Sequence, residues 1–195
     1  LGILALLFPE SAARDIYDAG HLPALAELDK LLVPASDDEP LTIRLALPTP
    51  FHTQLTAHWQ EELSSARPRW TVLKFAALLA SLGVGEQAAT IARRLRLSVR
   101  EVRFVEQCLK GCSQLLAWAQ AGDADIAPLA LHRYYRAACD AGVDAAILAR
   151  SVAAARRTSC AQLERLDALA ERLWAAWFLQ QDTIIDPPLL LSGAE

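Results

Sequence analysis

The sequence predicts an all-α protein, a multi-helix bundle, on three observations. Ala and Leu dominate the 195 residues while aromatic residues make up 7%, and both Ala and Leu lose little entropy in a helix. Apolar residues recur at helical spacing, as in Val102, Val105, Leu109, Cys112 and Leu116. No Asn-Gly or Asp-Gly hairpin signal occurs, and only Leu41–Leu47 alternates weakly.

Length and composition, 53% apolar and 22% charged, suit one globular domain or two small ones sharing a core. A division into 1–120, an HD-like helical region with its neck, and 121–195, a further C-terminal helical region packed with it, is expected. No run of 18 apolar residues occurs, so a membrane span is not expected. Leu1–Phe8 is apolar but short and lacks preceding basic residues, so it reads as core and not as a signal peptide. The chain contains no Met, which suggests a segment of a longer protein. Cys108, Cys112, Cys139 and Cys160 form no CxxC pair. Without a secretory signal they read as reduced, small apolar core residues, with the cytoplasm as the default compartment.

The expected elements follow from caps and breakers. A first helix spans about Ser11–Leu32, interrupted near Gly20 and Pro23, and a polar loop follows at Pro34–Pro40. Thr49-Pro50 reads as an N-cap with Pro in the first helical position. That helix carries Phe51, Leu55 and Trp59 on one face and ends near Ser64. Pro68 opens the next, with Trp70, Leu73, Ala77 and Ala80 toward the core and Gly83 and Gly85 at its end. A short helix covers Glu86–Leu95. Ser98 and Glu101 form a capping box, with Leu97 and Val102 as its hydrophobic staple, for a helix that Gly111 could bend. Asp125 caps a helix that has Pro128 in its first turn and ends at Gly142, and Asp144 caps another ending near Arg157. Ser159 and Gln162 form a second box for a last helix reaching Gln181.

Several chemistries are argued against by spacing. The histidines His21, His52, His58 and His132 form no HExxH, and no Cys cluster accompanies them. No GxSxG nucleophile motif occurs. Gly83-Val84-Gly85 follows a helix and lacks a Lys-Ser/Thr pair, so it is not a phosphate loop. Asp123-Ala124-Asp125 sits at a helix start, where capping explains it.

One basic constellation stands out. Formal net charge is −4, yet 16 of the 19 basic residues are Arg, the better residue for bidentate phosphate contact. Arg93, Arg94, Arg96, Arg100 and Arg103 fall within eleven residues, and Arg133 and Arg136 flank Tyr134-Tyr135. Arg beside aromatic rings suits an RNA backbone with an occasional stacked base. The plainer account is a solvated face with salt bridges to residues such as Glu86 and Glu101.

Leu73–Gly83 (LKFAALLASLG) resembles the LKLAALLHDIGK segment of bacterial CCA-adding tRNA nucleotidyltransferases and poly(A) polymerase relatives with an HD-type domain. The similarity continues in order. Leu1–Glu10 resembles the segment after the family's catalytic head, Ile91–Ser98 its RRLRFS segment, and His132–Arg136 with Ala145–Ala154 its RYYR region. Pro187–Gly193 resembles the entry to its last segment. Where the family has His-Asp, this chain has Ala80-Ser81, and Val84 replaces the following Lys; His21 matches at most one further ligand. Ala cannot ligate a metal and Ser poorly replaces a carboxylate, so a degenerate HD-type domain without metal, catalytic residue or cofactor of its own is implied.

The resemblance implies a non-catalytic helical part of a tRNA nucleotidyltransferase-like protein in RNA 3′-end processing. It would bind tRNA or another structured RNA through Arg93, Arg94, Arg96, Arg100, Arg103, Arg133 and Arg136. A catalytic head before Leu1 would use Mg and a nucleoside triphosphate, and a C-terminal segment would follow. The alternative is a degenerate HD-type domain serving as a protein-interaction or dimerisation module. The acidic net charge favours it, as would exposure of Trp174 and Trp177 in a homodimer.

Overall fold

The computed structural model describes residues 7–9, 22–34, 43–64, 67–122 and 126–185. The architecture is all-α, with two short ribbons at the periphery. Helix α1 spans Pro23–Leu31, α2 His52–Gln60, α3 Arg69–Ser81 and α4 Ala88–Arg94. Then follow α5 at Val99–Ala121, α6 at Pro128–Ala138, α7 at Ala141–Ala155 and α8 at Cys160–Leu179. A 3₁₀ turn, Gly85–Gln87, precedes α4, and a π turn, Gln181–Ile185, follows α8. Strand β1 (Leu32–Pro34) pairs antiparallel with β2 (Ile43–Leu45), with Leu32 opposite Leu45. Strand β3 (Glu62–Ser64) pairs with β4 (Arg67–Pro68). The expected Pro34–Pro40 loop, the Asp125 cap and the Pro187–Gly193 segment lie largely or wholly outside the described residues, as do His21 and most of Leu1–Phe8.

Local signals set several boundaries. At the start of α5 the Ser98 hydroxyl accepts from the Glu101 N–H, and the Glu101 carboxylate accepts from the Ser98 N–H at 2.7 Å. Two orphan donors are thereby satisfied. Of the expected second box only one half forms among the described residues: Ser159 Oγ accepts from the Gln162 N–H at 3.4 Å, without a return bond from the Gln162 side chain. Helix α3 ends in a Schellman motif: Gly83 has φ +70°, its N–H reaches Ala80 O, and the Val84 N–H reaches Leu79 O. Arg96 (φ +59°) and Arg157 (φ +54°) take the same left-handed place after α4 and α7, where a side chain carries a steric cost.

Other boundaries differ from the sequence expectation because tertiary contacts override local preference. Helix α2 starts at His52; Thr49 Oγ1 accepts the Phe51 N–H at 3.3 Å, and Phe51 turns inward to stack on Phe178. The same helix stops at Gln60, before Ser64, because Leu63 is drawn into the core and Glu62–Ser64 pairs with Arg67–Pro68. Helix α6 begins after Ala127, without a side-chain cap, and ends at Ala138, before Gly142. Asp144 is no cap: it sits inside α7, wholly buried. Cys139 and Cys160 are exposed, unlike the buried Cys108 and Cys112, so only two of the four thiols are core residues. In α3, Leu73 and Ala77 are buried while Trp70 and Ala80 are half-buried at the core margin.

Helix α7 is the axis of the bundle. Twelve of its 15 residues are buried, as expected for a helix surrounded on all sides. It packs against α1, α3, α5, α6 and α8, and its small side chains let those neighbours approach closely. Gly111 of α5 faces Ala145, and a Cβ added there would lie 2.9 Å from the Ala145 Cβ. Gly111 therefore serves a close helix crossing, and α5 continues through it. Tyr134 and Tyr135 lock α6 onto this core, since Tyr134 donates to Gly142 O (3.0 Å) and Tyr135 to Leu173 O (2.9 Å). Trp174 donates to Val143 O at 3.2 Å. One cluster of buried side chains runs from Phe8 to Ala176.

A Cβ at Gly142 would lie 2.7 Å from Tyr134 Cε1 and 2.9 Å from Tyr135 Cε1. Both rings are fixed by hydrogen bonds and cannot yield cheaply. Gly142→Ala is therefore expected to destabilise the fold by about 1–3 kcal/mol, read as a lower urea midpoint with an unchanged m-value.

Candidate nucleic-acid interface

Two charged assemblies form, one buried and one exposed. The buried one centres on Asp144. Its Oδ2 lies 3.1 Å from His58 Nε2 of α2 and accepts from Arg69 Nη1 of α3 at 3.2 Å. Arg69 Nη2 donates to Asp140 Oδ2 at 2.6 Å, with Glu61 Oε2 3.7 Å away. Phe104 lies under the guanidinium at 5.4 Å, and Phe178 meets the His58 ring edge-on at 6.3 Å. Burial opposes the charge on Arg69, but Asp144 and then Asp140 hold its pKa above the ordinary value. Burial likewise pushes Asp140 up, yet the Arg69 hydrogen bond and charge win and leave its carboxyl below the usual range. With His58, Arg69 and Asp144 all buried, this assembly joins α2, α3 and α7 and presents little to a ligand.

Sequence reasoning missed it. His58 belongs to no motif in the sequence and Asp144 reads as a cap, because their partners are 86 and 75 residues away in sequence. The signal that could have exposed it is a lone Asp in the otherwise apolar stretch Ala141–Ala149. A buried carboxylate there demands a cation.

The exposed assembly lies on α4, α5 and α6. Arg93 and Arg94 end α4, Arg96 follows it, and Arg100 and Arg103 stand on the first turns of α5, all exposed. Arg94 Nη2 donates to the Leu7 carbonyl and so also anchors the chain before α1. Arg100, Arg103, Gln107, Lys110 and Gln114 recur at alternating three- and four-residue spacing, which puts them on one stripe of α5. That stripe spans roughly 21 Å. Gln107 donates to Cys139 Sγ at 3.4 Å, bringing the end of α6 beside it. Arg133 joins the stripe through a cleft of about 340 Å³ that it lines together with Lys110, Gln114 and Trp118. Arg136 is exposed on α6 but does not line this cleft. Lys110, Gln107 and Gln114 were missed by sequence reasoning, which weighed runs of like residues and not the stripe.

Among the described residues, Arg93, Arg96, Arg100, Arg103, Arg133 and Arg136 do not form the expected salt bridges with Glu86 and Glu101. Glu101 is buried; its Oε1 lies 3.0 Å from Arg67 Nε, and its other oxygen closes the capping box. Burial pushes the Glu101 pKa up, but the Ser98 N–H, followed by further hydrogen bonds and Arg67, holds it below the ordinary value. Among the described residues, ion pairs engage Lys30, Arg67, Arg69, Lys74 and Arg150, and none engages Arg93, Arg96, Arg100, Arg103, Lys110, Arg133 or Arg136. Tyr134 and Tyr135 are not stacking platforms: both are buried, and burial raises their pKa values well above the ordinary phenol range. Trp118, half-buried in the cleft, is the aromatic residue beside the cations.

Ser81, where the resemblance places a metal-ligating Asp, turns the other way. Its Oγ accepts from Ala24 N (3.1 Å) and Leu25 N (3.2 Å) at the start of α1 and donates to Ala77 O at 2.8 Å. Ala80 lines a second, wider groove of about 760 Å³ with Glu86, Glu106 and Arg156. Among the described residues no three His, Cys, Asp or Glu side chains gather as a metal ion would require. No described helix is long and apolar enough to cross a membrane. Trp174 is buried and Trp177 packs on Tyr135 at 5.2 Å, so neither forms the exposed surface on which a dimerisation module would call. No family model and no curated protein matches the chain.

Asp144→Ala leaves Arg69 and His58 buried without their shared acceptor. It is expected to cost about 3–5 kcal/mol, read as a lowered thermal midpoint. The Asp140 pKa is depressed in the folded state, so its contribution is present above the ordinary Asp value of about 3.9. It is lost as pH falls through the lower folded value. Acid titration of stability should accordingly show a smaller fall below pH ~4 in Asp140→Asn than in the wild type.

Proposed function

We propose that this chain is the helical body of a tRNA nucleotidyltransferase-like protein and holds structured RNA on the face formed by α4, α5 and α6. The observation that carries the reading is the run of exposed cations on that face, Arg93, Arg96, Arg100, Arg103, Lys110, Arg133 and Arg136, which make no ion pair among the described residues. Unpaired Arg groups retain the full capacity for bidentate phosphate contact. A stripe of roughly 21 Å can follow several successive phosphates. The ordered similarity of segments from Leu1–Glu10 to Pro187–Gly193 supports the family within this reading. In such a protein the chemistry belongs to a head using Mg and a nucleoside triphosphate, while the body positions the RNA end. With Ser81 committed to α1, the helical body contributes binding and support.

The test is salt-dependent binding of a tRNA, with double-stranded DNA of similar charge as the comparison. Affinity for tRNA should exceed that for DNA and fall steeply with salt. Arg100→Gln with Arg103→Gln should weaken tRNA binding and lower the slope of log K against log salt by about 1.5–2. An unchanged slope and affinity would refute the reading.

A further inference from the structure

The cleft between α5 and α6 combines features that an unbranched phosphate-binding face does not need. Its lining is largely apolar, with Gly111, Ala130, Ala137, Ala138 and the half-buried Trp118 among it. Its two charged lining groups, Lys110 and Arg133, are both cationic and exposed, and neither makes an ion pair among the described residues. No Asp or Glu lines it. The volume, about 340 Å³, sits near the lower end of the roughly 300–1,000 Å³ typical of small-molecule sites. That is room for one flat ring system and its attached anion, not for a double helix.

We propose that this cleft receives a single unpaired nucleotide of the bound RNA, with the base against Trp118 and the adjoining phosphates held by Lys110 and Arg133. The inference rests on the RNA-binding reading and specifies which part of the RNA the face selects. Single-stranded nucleotides are recognised by this combination of stacking surface and cationic rim, because an unstacked base exposes an apolar face next to a charged backbone. The wider groove on the other flank of α5 lacks that combination, since Glu86 and Glu106 share its lining with Arg156. The Lys110–Gln114 edge, common to both grooves, then separates a flank that suits a nucleotide from one with mixed charge.

The experiment compares two RNA hairpins with the same stem, one blunt and one with a short single-stranded 3′ tail, bound to the full-length protein. The tailed hairpin should bind about tenfold more tightly, and a tail of abasic nucleotides should lose most of that gain. Ala137→Phe fills the cleft from an exposed position, and Trp118→Leu removes the stacking ring while keeping apolar bulk. Each should abolish the tail advantage, and Ala137→Phe should leave blunt-hairpin affinity unchanged. Equal binding of both hairpins, or a tail advantage that survives Ala137→Phe, overturns the nucleotide site and leaves RNA binding by the face intact. Failure of both hairpins to bind overturns both.

Discussion

A carboxylate taken out of water inside a protein costs several kcal/mol unless cations and hydrogen bonds converge on it, and Asp144 sits wholly buried on the central helix. His58 and Arg69 converge on one oxygen, Oδ2, and Oδ1 has no hydrogen-bond partner among the described residues. Because those partners come from α2 and α3, the carboxylate fixes where both helices meet α7. Arg69 extends the link to Asp140 in the turn before α7. The charge that makes this arrangement expensive also makes it specific: sliding any of these helices along α7 would strand a buried ion. Apolar packing alone, being non-directional, would tolerate such slips more easily.

The same central helix determines the shape of the exposed face. Small residues along α7 let α5 cross closely at Gly111 and let the α6 tyrosines reach in to Gly142 and Leu173. Tyr134 and Tyr135 therefore turn inward, leaving Arg133 and Arg136 outside, and the apolar side of α6 faces α5 only in part. Trp118 and Tyr134, with ring centroids 5.6 Å apart, prop the two helices at the Trp118 end. The cleft lined by Lys110 and Arg133 thus follows from a tight core combined with an aromatic spacer at its edge.

What could be read in the sequence was what is encoded locally. The Ser98–Glu101 box, the Ser159 cap and the left-handed Gly83 each use partners within five residues, and the period of α5 needs only its own side chains. Asp144 was misread by the same local logic, which takes an Asp near a helix start for a cap. The truncation of α2 at Gln60 also escaped, because the β3–β4 ribbon is held by Leu63 in the core and by Arg67 beside Glu101 on α5. For the candidate site, the Arg residues themselves were legible. That Arg93, Arg96, Arg100, Arg103, Arg133 and Arg136 make no ion pair among the described residues was not, since it depends on Glu101 turning inward to Ser98 and Arg67. The aromatic partner was assigned to Tyr134-Tyr135 by adjacency, whereas three-dimensional adjacency selects Trp118.

Net charge is a poor guide to such a face. The chain totals −4, which alone argues against binding a polyanion. Its acidic groups, however, are unevenly employed: Asp144 and Glu101 are buried, while Glu27, Asp29, Asp140 and Asp167 are paired with Lys30, Lys74, Arg69 and Arg150. Glu106 lies on the flank of α5 that lines the wider groove. Surface potentials decay over about 8 Å at physiological ionic strength. A phosphate approaching the α5 stripe therefore responds to the nearest unpaired cations more than to the molecular total. With Asp144 and Glu101 buried and four further acids paired elsewhere, Arg93, Arg96, Arg100, Arg103, Lys110, Arg133 and Arg136 make no ion pair among the described residues, so the fold and not the composition sets the local charge along α4, α5 and α6.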